Sequence, residues 1–376
     1  MSWLLRHRLK VILSLLLGIG FVYVLKAGAM PLVPTSDDFA QLRPWVVPLY
    51  FGLWLSVHGL RATRWYFLLK PLHAPPLREI VSASFIGFAA IIFLPLRTGE
   101  VVRPVLIRRQ GKLSGWHAIG TIAAERIIDG LVLSLVLFFA LLLTPTLDPL
   151  PETIGKLNVS AALVPRAAQF ALLVFGTAFG AMAMFYFARD AARKLTRAVI
   201  GPFSLKFAEW LSNKVERVIE GLRFLPRLRY SLPFVSITVS YWLLNAGANW
   251  VLMRGTGLED ASFGQACVIT CVLALGILVP QAPGYFGAFQ LSVYAGLAVF
   301  FPTDIVLGRG AVVVFVMYLT QLVITLGAGV VCLVVQREGV RSALSRGLGG
   351  ETTPPPGPSG PSDASGAPES SEITSL

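Results

Sequence analysis

Apolar runs long enough to cross a bilayer recur along this chain, and short arginine-rich segments separate them. A helix crosses ~30 Å of hydrocarbon with about twenty apolar residues, seventeen being near the lower end. Six runs read as full spans, at about 9–25, 45–60, 127–144, 167–187, 232–253 and 310–335, with further apolar runs at 80–96, 264–280 and 285–301. With 376 residues, 55% of them hydrophobic and only 14% charged, the pattern exceeds what a soluble core requires. The expected fold is therefore all-α, a polytopic membrane protein. A formal charge of +12 could suggest nucleic acid. The basic residues sit between apolar runs, however, where an insertion bias toward the cytoplasm puts them, so nucleic acid is not the expected partner.

Loop charge sets the topology. Arg61, Arg64, Lys70 and Arg78 follow the second span, and 188–231 is strongly basic, so both belong inside; 144–166, with Asp148 and Glu152, belongs outside. The first run follows Arg6, Arg8 and Lys10 but lacks a small-residue cleavage site, so it reads as an anchor with a cytoplasmic N-terminus. A full crossing by 80–96 would export both the Arg-rich 97–112 and the loop 188–231. The run instead enters from the cytoplasm, breaks at "LPLRTG" and returns, a re-entrant hairpin. Non-helical backbone at that depth survives only when buried in protein or lining a wet cavity. A second hairpin breaks at "VPQAPGYFG" and enters from the opposite side.

Each half then reads span, hairpin, span in opposite sense. Residues 44–144 and 231–336 form the expected inverted repeat, within a membrane domain of 1–347. Paired interrupted segments in corresponding halves point to a transport site near the midplane. Pro95, Gly99, Pro280, Pro283, Gly284 and Gly287 are the expected hinges. Residues 348–376, rich in Pro, Ser and Gly, form a tail expected to be disordered and, like the N-terminus, cytoplasmic.

Arg97, Glu100 and Arg103 recur every third residue and share a face if 98–110 is helical. They suit either lipid headgroups or a functional cluster. Glu125, Arg126 and Asp129 head a span, where a lone charge at the centre would cost ~2.5–3.5 kcal/mol, so pairing with the 97–103 cluster is expected. For Glu125 and Arg126, headgroup anchoring is the competing reading. Arg61 and Arg64 end the second span; they either snorkel or fork onto a phosphate. Asn245 and Asn249 make one polar stripe suited to interhelical hydrogen bonding, and Gln281 and Gln290 flank the second break as uncharged cavity candidates.

Cys267, Cys271 and Cys332 make no disulfide or metal pattern, and the four histidines have no partner at ligand spacing, so neither a metal nor another cofactor is expected. No nucleophile sits with a base and no phosphate loop joins a soluble domain, so no catalytic residue is assigned.

The segments "RATRWYFLL", "LPLRTGEVVRPVLIRR", "AAERIIDGLVL" and "VPQAPGYFGAFQ" occur in the order found in a known family. Over roughly residues 5 to 340 the chain resembles the transmembrane region of lysylphosphatidylglycerol synthases and its stand-alone, flippase-like bacterial relatives. Pro95, Gly99, Glu100, Arg103, Glu125, Arg126, Asp129, Pro283, Gly284 and Gly287 match its motifs; Gln290 stands where the family usually has a glutamate. The resemblance implies an inner-membrane protein with broken helices, associated with moving amino-acylated or otherwise modified lipids. The synthase's aminoacyl transferase domain is not found, so lipid lysylation is not expected.

The expected function is translocation of an anionic or amino-acylated phospholipid, or of a polyprenyl-phosphate lipid. Arg97 and Arg103 would attract the phosphate while Glu100 and Asp129 weaken the trap. A homo-oligomer is compatible with this reading. Two rival readings are a membrane-embedded enzyme of lipid or glycan synthesis, and a non-transporting scaffold acting through the basic loop 188–231. Topology reporters fused at Gln110 and at Arg223 should report the same side; opposite sides would refute the first hairpin.

Overall fold

A computed structural model describes residues 8–72, 75–94, 99–109, 115–188, 226–278 and 282–348, with isolated positions between 190 and 224. The chain divides into Met1–Val334 and Val335–Leu376; the described part of the second is the helical 335–348, and all that follows concerns the first. Among the described residues the regular structure is helical apart from a single bridge between Ile154 and Leu157. The long helices are α1 (Arg8–Ala27), α2 (Val46–Thr63), α3 (Leu77–Phe93), α4 (Val102–Arg109), α5 (Gly115–Leu143), α6 (Leu163–Phe187), α7 (Leu228–Gly255), α8 (Phe263–Gly276), α9 (Ala288–Ala298) and α10 (Arg309–Leu348).

Local chemistry sets several of these boundaries. Pro76 caps α3, and its fixed φ favours a helix start. Ser262 Oγ accepts the Gln265 N–H at 3.2 Å while Gln265 Oε1 accepts the Ser262 N–H at 3.0 Å, a capping box that starts α8. Gly257, at φ +87°, lets the chain leave α7 with the Leu258 N–H returning to the Met253 carbonyl.

Segments Ala118–Leu143, Leu163–Met184 and Thr303–Gln336 are long and apolar enough to span a bilayer. Their outer faces expose residues such as Leu143 (79%), Phe170 (68%) and Leu173 (67%), more apolar surface than a water-soluble monomer presents. Lipid must cover them, and the chain is a multi-pass membrane protein. One boundary differs in consequence from the sequence expectation. The helix bearing Glu125, Arg126 and Asp129 starts at Gly115, not near Ile127, so these charges lie well inside it rather than at its head.

Both expected breaks are chain reversals. Gly99 lies so close to the backbone of Ala90 and Ile91 that a Cβ would overlap them, and Gly87 sits under the Arg103 side chain. These pairings make α3 and α4 an antiparallel hairpin. With eight residues α4 is about 12 Å long, too short to cross. Glu100 precedes α4 in a short 3-10 turn, outside the helix expected over 98–110. In the second hairpin Gly276 meets Ser292 and Gly296 meets Ile269, so α8 and α9 also run antiparallel. At 14 and 11 residues they are about 21 and 16 Å long. The turn between them is a 3-10 segment, Pro283–Tyr285, with positive φ at Gly284 (+79°), Tyr285 (+60°) and Gly287 (+85°). The Gln290 side chain completes it by accepting the Gly287 N–H at 2.7 Å. Pro95 and Pro280 lie outside the described residues.

The two halves pack reciprocally. Helix α2 lies along α7, with Val46 filling the space beside Gly255. The first hairpin is flanked by α2 and, through Ala89 beside Gly329, by α10; the second is flanked by α7 and α5. The 3-10 tip of the second hairpin packs on α3, and α1 closes over that tip through Phe21 beside Gly287.

Replacing Gly99 by Ala should lower the thermal melting point in detergent, at an overpacking cost of about 1–3 kcal/mol, because the obstructing atoms are backbone and cannot turn aside. Gly52→Ala, at an open helical position, should melt at or above wild type.

Candidate functional site

The two larger of three apolar clusters meet at a polar layer, and each of three helices passes from one to the other through it. Along α2, Trp54 and Val57 belong to one cluster and Trp65 and Leu68, just beyond the helix, to the other, with Arg61 and Arg64 between. Along α5, Ile122 and Ile128 belong to one and Leu133 and Leu137 to the other, the charged residues clustering near their junction. Along α7, Phe234 and Tyr241 belong to different clusters and Thr238 lies between them.

Arg64 caps the C-terminal end of α2 and is fully buried. Its Nη1 and Nη2 each donate to a different Asp129 oxygen at 2.6 Å, a bidentate fork; Nη2 also reaches Glu125 Oε1 at 2.9 Å and Nη1 reaches Thr238 Oγ1 at 3.1 Å. Glu125 and Asp129 can share one guanidinium because four residues separate them on one face of α5. A second fork comes from the first hairpin: Arg103 Nη1 and Nη2 donate to Glu125 Oε1 and Oε2 at 3.1 and 3.2 Å. From α7, the Tyr241 hydroxyl donates to Asp129 Oδ1 at 2.9 Å.

Aromatic faces enclose both guanidiniums. The Arg103 carbon lies 4.2 Å from the Trp65 centroid and that of Arg64 lies 4.7 Å from the Tyr241 centroid. Trp65 is itself held by donating to Thr121 Oγ1 at 3.0 Å. The cluster therefore ties α2, the first hairpin, α5 and α7 into one ionic lock.

A cavity of about 80 Å³ adjoins the lock, with Arg61, Arg126, Asp129, Tyr241 and Asn245 among its walls. Arg126 lies 3.9 Å from Glu100, at ion-pair rather than hydrogen-bond distance. Asn249 stands behind the cavity wall: its amide donates to Thr270 Oγ1 at 2.8 Å and its oxygen accepts from Tyr50 at 2.9 Å, joining α2, α7 and α8. Gln290 is buried as the cap of α9. Arg97 and Gln281 lie outside the described residues.

The structure thus brings together Arg64, Glu100, Arg103, Glu125, Arg126, Asp129 and Asn245, and sets Asn249 and Gln290 in supporting hydrogen bonds. Sequence reasoning missed Thr238, Tyr241 and Trp65. Thr238 and Tyr241 continue the Asn245/Asn249 stripe at helical spacing, a signal readable once the stripe is extended toward the N-terminus. Among the described residues no group of three His, Cys, Asp or Glu is arranged to hold a metal ion.

The family description "Lysylphosphatidylglycerol synthase TM region" matches residues 11–329, which include every residue of the lock. The chain belongs to this family. It is also similar to a protein named Glycosyltransferase AglD from Haloferax volcanii, 23% identical over 258 residues, 65% of this chain. The matched stretch spans 41% of that relative's length. No solved structure matches the chain.

Removing one partner from a buried pair leaves its mate uncompensated, at a cost of about 3–5 kcal/mol. Arg103→Met should therefore lower the detergent melting point sharply. Combined with Glu125→Met it should lower the melting point less than the two single changes sum to, giving a coupling that a double-mutant cycle measures.

Proposed function

We propose that the protein is a lipid translocator of the inner membrane, passing a phosphate-containing or amino-acylated headgroup between leaflets while the hydrocarbon chains stay in the bilayer. The reading rests on one observation above others: a buried ionic lock joins the first hairpin to helices of both halves beside a cavity whose walls include Arg61, Arg126 and Asp129. Membership of a family named for a lipid-modifying synthase's membrane region supports it. In this reading 44–144 and 231–336 are inverted repeats, and their reciprocal packing is the arrangement such repeats produce. Both termini lie in the cytoplasm. Transport runs downhill or on a gradient, with the glycine-rich second turn as the moving part.

The lock changes the role given to Arg103. Its two terminal nitrogens are directed at Glu125, so it holds the hairpin in place and is not the primary phosphate contact.

A membrane-embedded enzyme of lipid or glycan synthesis is the second reading, favoured by the name of the Haloferax volcanii relative. Product formation from a lipid donor by the purified protein would favour that reading, since translocation makes no product.

In proteoliposomes, the wild-type protein should render an inner-leaflet fluorescent phospholipid accessible to an external quencher. Gly287→Ala should slow this at least about tenfold, because φ +85° disfavours a side chain and a Cβ there meets Phe21. Equal rates with and without protein would refute translocation of that lipid.

A further inference from the structure

Arg61 lines the cavity beside the lock and takes no part in it. Its guanidinium carbon lies 4.6 Å from the Phe88 centroid, its Nε is buried without a hydrogen-bond partner, and among the described residues no carboxylate lies within ion-pair distance of it. Arg126 lines the same cavity, and its Nε likewise has no hydrogen-bond partner. Of the nearby carboxylates, Asp129 already accepts from Arg64 and Tyr241, and Glu100 stands 3.9 Å from Arg126, at ion-pair rather than hydrogen-bond distance. Two like charges lining one cavity repel in a low dielectric unless an anion lies beside them, and among the described residues no carboxylate lies within ion-pair distance of Arg61. Because a single water needs roughly 10–15 Å³, a cavity of about 80 Å³ admits a phosphate-sized group.

A second space shares a wall with this one. Leu278, just past α8 at the second break, lines both the cavity and an apolar groove of about 660 Å³. The groove runs between α1, α5, α6, α8 and α9, with walls such as Val24, Phe170, Val174, Leu275 and Leu291; among the described residues of its lining Ser292 carries the single polar side chain. Charge on one side of Leu278 and hydrocarbon on the other match the two ends of one amphiphile.

We propose that Arg61 and Arg126 form the phosphate subsite for a single bound lipid, one hydrocarbon chain of which lies in this groove past Leu278. The assignment rests on the translocator reading for its biological meaning, yet it concerns binding alone. Guanidinium forks suit a phosphodiester or phosphomonoester oxygen pair. Diacyl phospholipids and polyprenyl phosphates share that chemistry.

Delipidated protein in detergent would be titrated, by native mass spectrometry, with dioleoyl phosphatidylglycerol, undecaprenyl phosphate and uncharged dioleoylglycerol. At least one phosphate lipid should be retained more strongly than dioleoylglycerol, and whichever binds more tightly identifies the source. Arg61→Gln and Arg126→Gln should each weaken that retention at least about tenfold, as expected for loss of a charge-assisted fork. Val174→Trp, which narrows the groove without touching a charge, should weaken it too. Variants are compared only where melting points match wild type; should Arg61→Gln misfold, Arg61→Lys keeps the charge, loses the fork and should bind more weakly than wild type.

Equal retention of dioleoylglycerol, or retention unchanged in both arginine variants, would overturn the subsite. Unchanged binding in Val174→Trp would overturn the chain's place in the groove. Arginine-dependent binding without flipping in proteoliposomes would leave the subsite standing and remove translocation; flipping with arginine-independent binding would do the reverse.

Discussion

Buried guanidinium and carboxylate groups must neutralise one another, and that constraint organises this protein. In a bilayer interior each unpaired charge is costly, so Arg64 and Arg103 meet Glu125 and Asp129 through their terminal nitrogens, while the Nε of each arginine stays buried without a hydrogen-bond partner. The bidentate forks at 2.6 Å to Asp129 and at 3.1 and 3.2 Å to Glu125 achieve this only if α2, α5 and the first hairpin stop at the right heights. Gly87 and Gly99 follow from the same demand: one makes room for the Arg103 stem, the other lets the returning strand press against α3. The polar layer is also the boundary between the two apolar clusters, so packing and charge pairing fix the same register.

Much of the architecture was legible in the sequence because bilayer thickness and loop charge leave few solutions. Apolar run lengths gave the helices, and the misfit between 80–96 as a span and the Arg-rich stretch after it exposed the first hairpin. The pairing of the 97–103 and 125–129 clusters was also readable, since charges inside apolar runs must find one another. What escaped was the depth of that pairing. The span was expected to begin near Ile127, so Glu125 and Arg126 were read at its head, where headgroups could have served them; Gly115 as the true start puts them inside.

Arg64 was the harder residue to judge. A terminal arginine followed by Trp65 and Tyr66 has the composition of an interfacial snorkel, and only the three-dimensional meeting with Asp129 and Glu125 distinguishes it from one. Arg61, three residues earlier, has the same sequence surroundings and a different environment. Local pattern cannot separate the two, because the difference comes from which neighbouring helix supplies an acceptor. Gln290 gave a partial signal: its spacing from Gly287 is that of a helix cap, although it was first considered as a cavity residue.

The reciprocal packing of the hairpins has a mechanical corollary. Each hairpin is gripped by the leading helix of its own half and the closing helix of the other, and the tip of the second rests on the first. Neither can tilt alone without shearing against both halves at once. A displacement of either hairpin must therefore be accommodated by contacts in both halves.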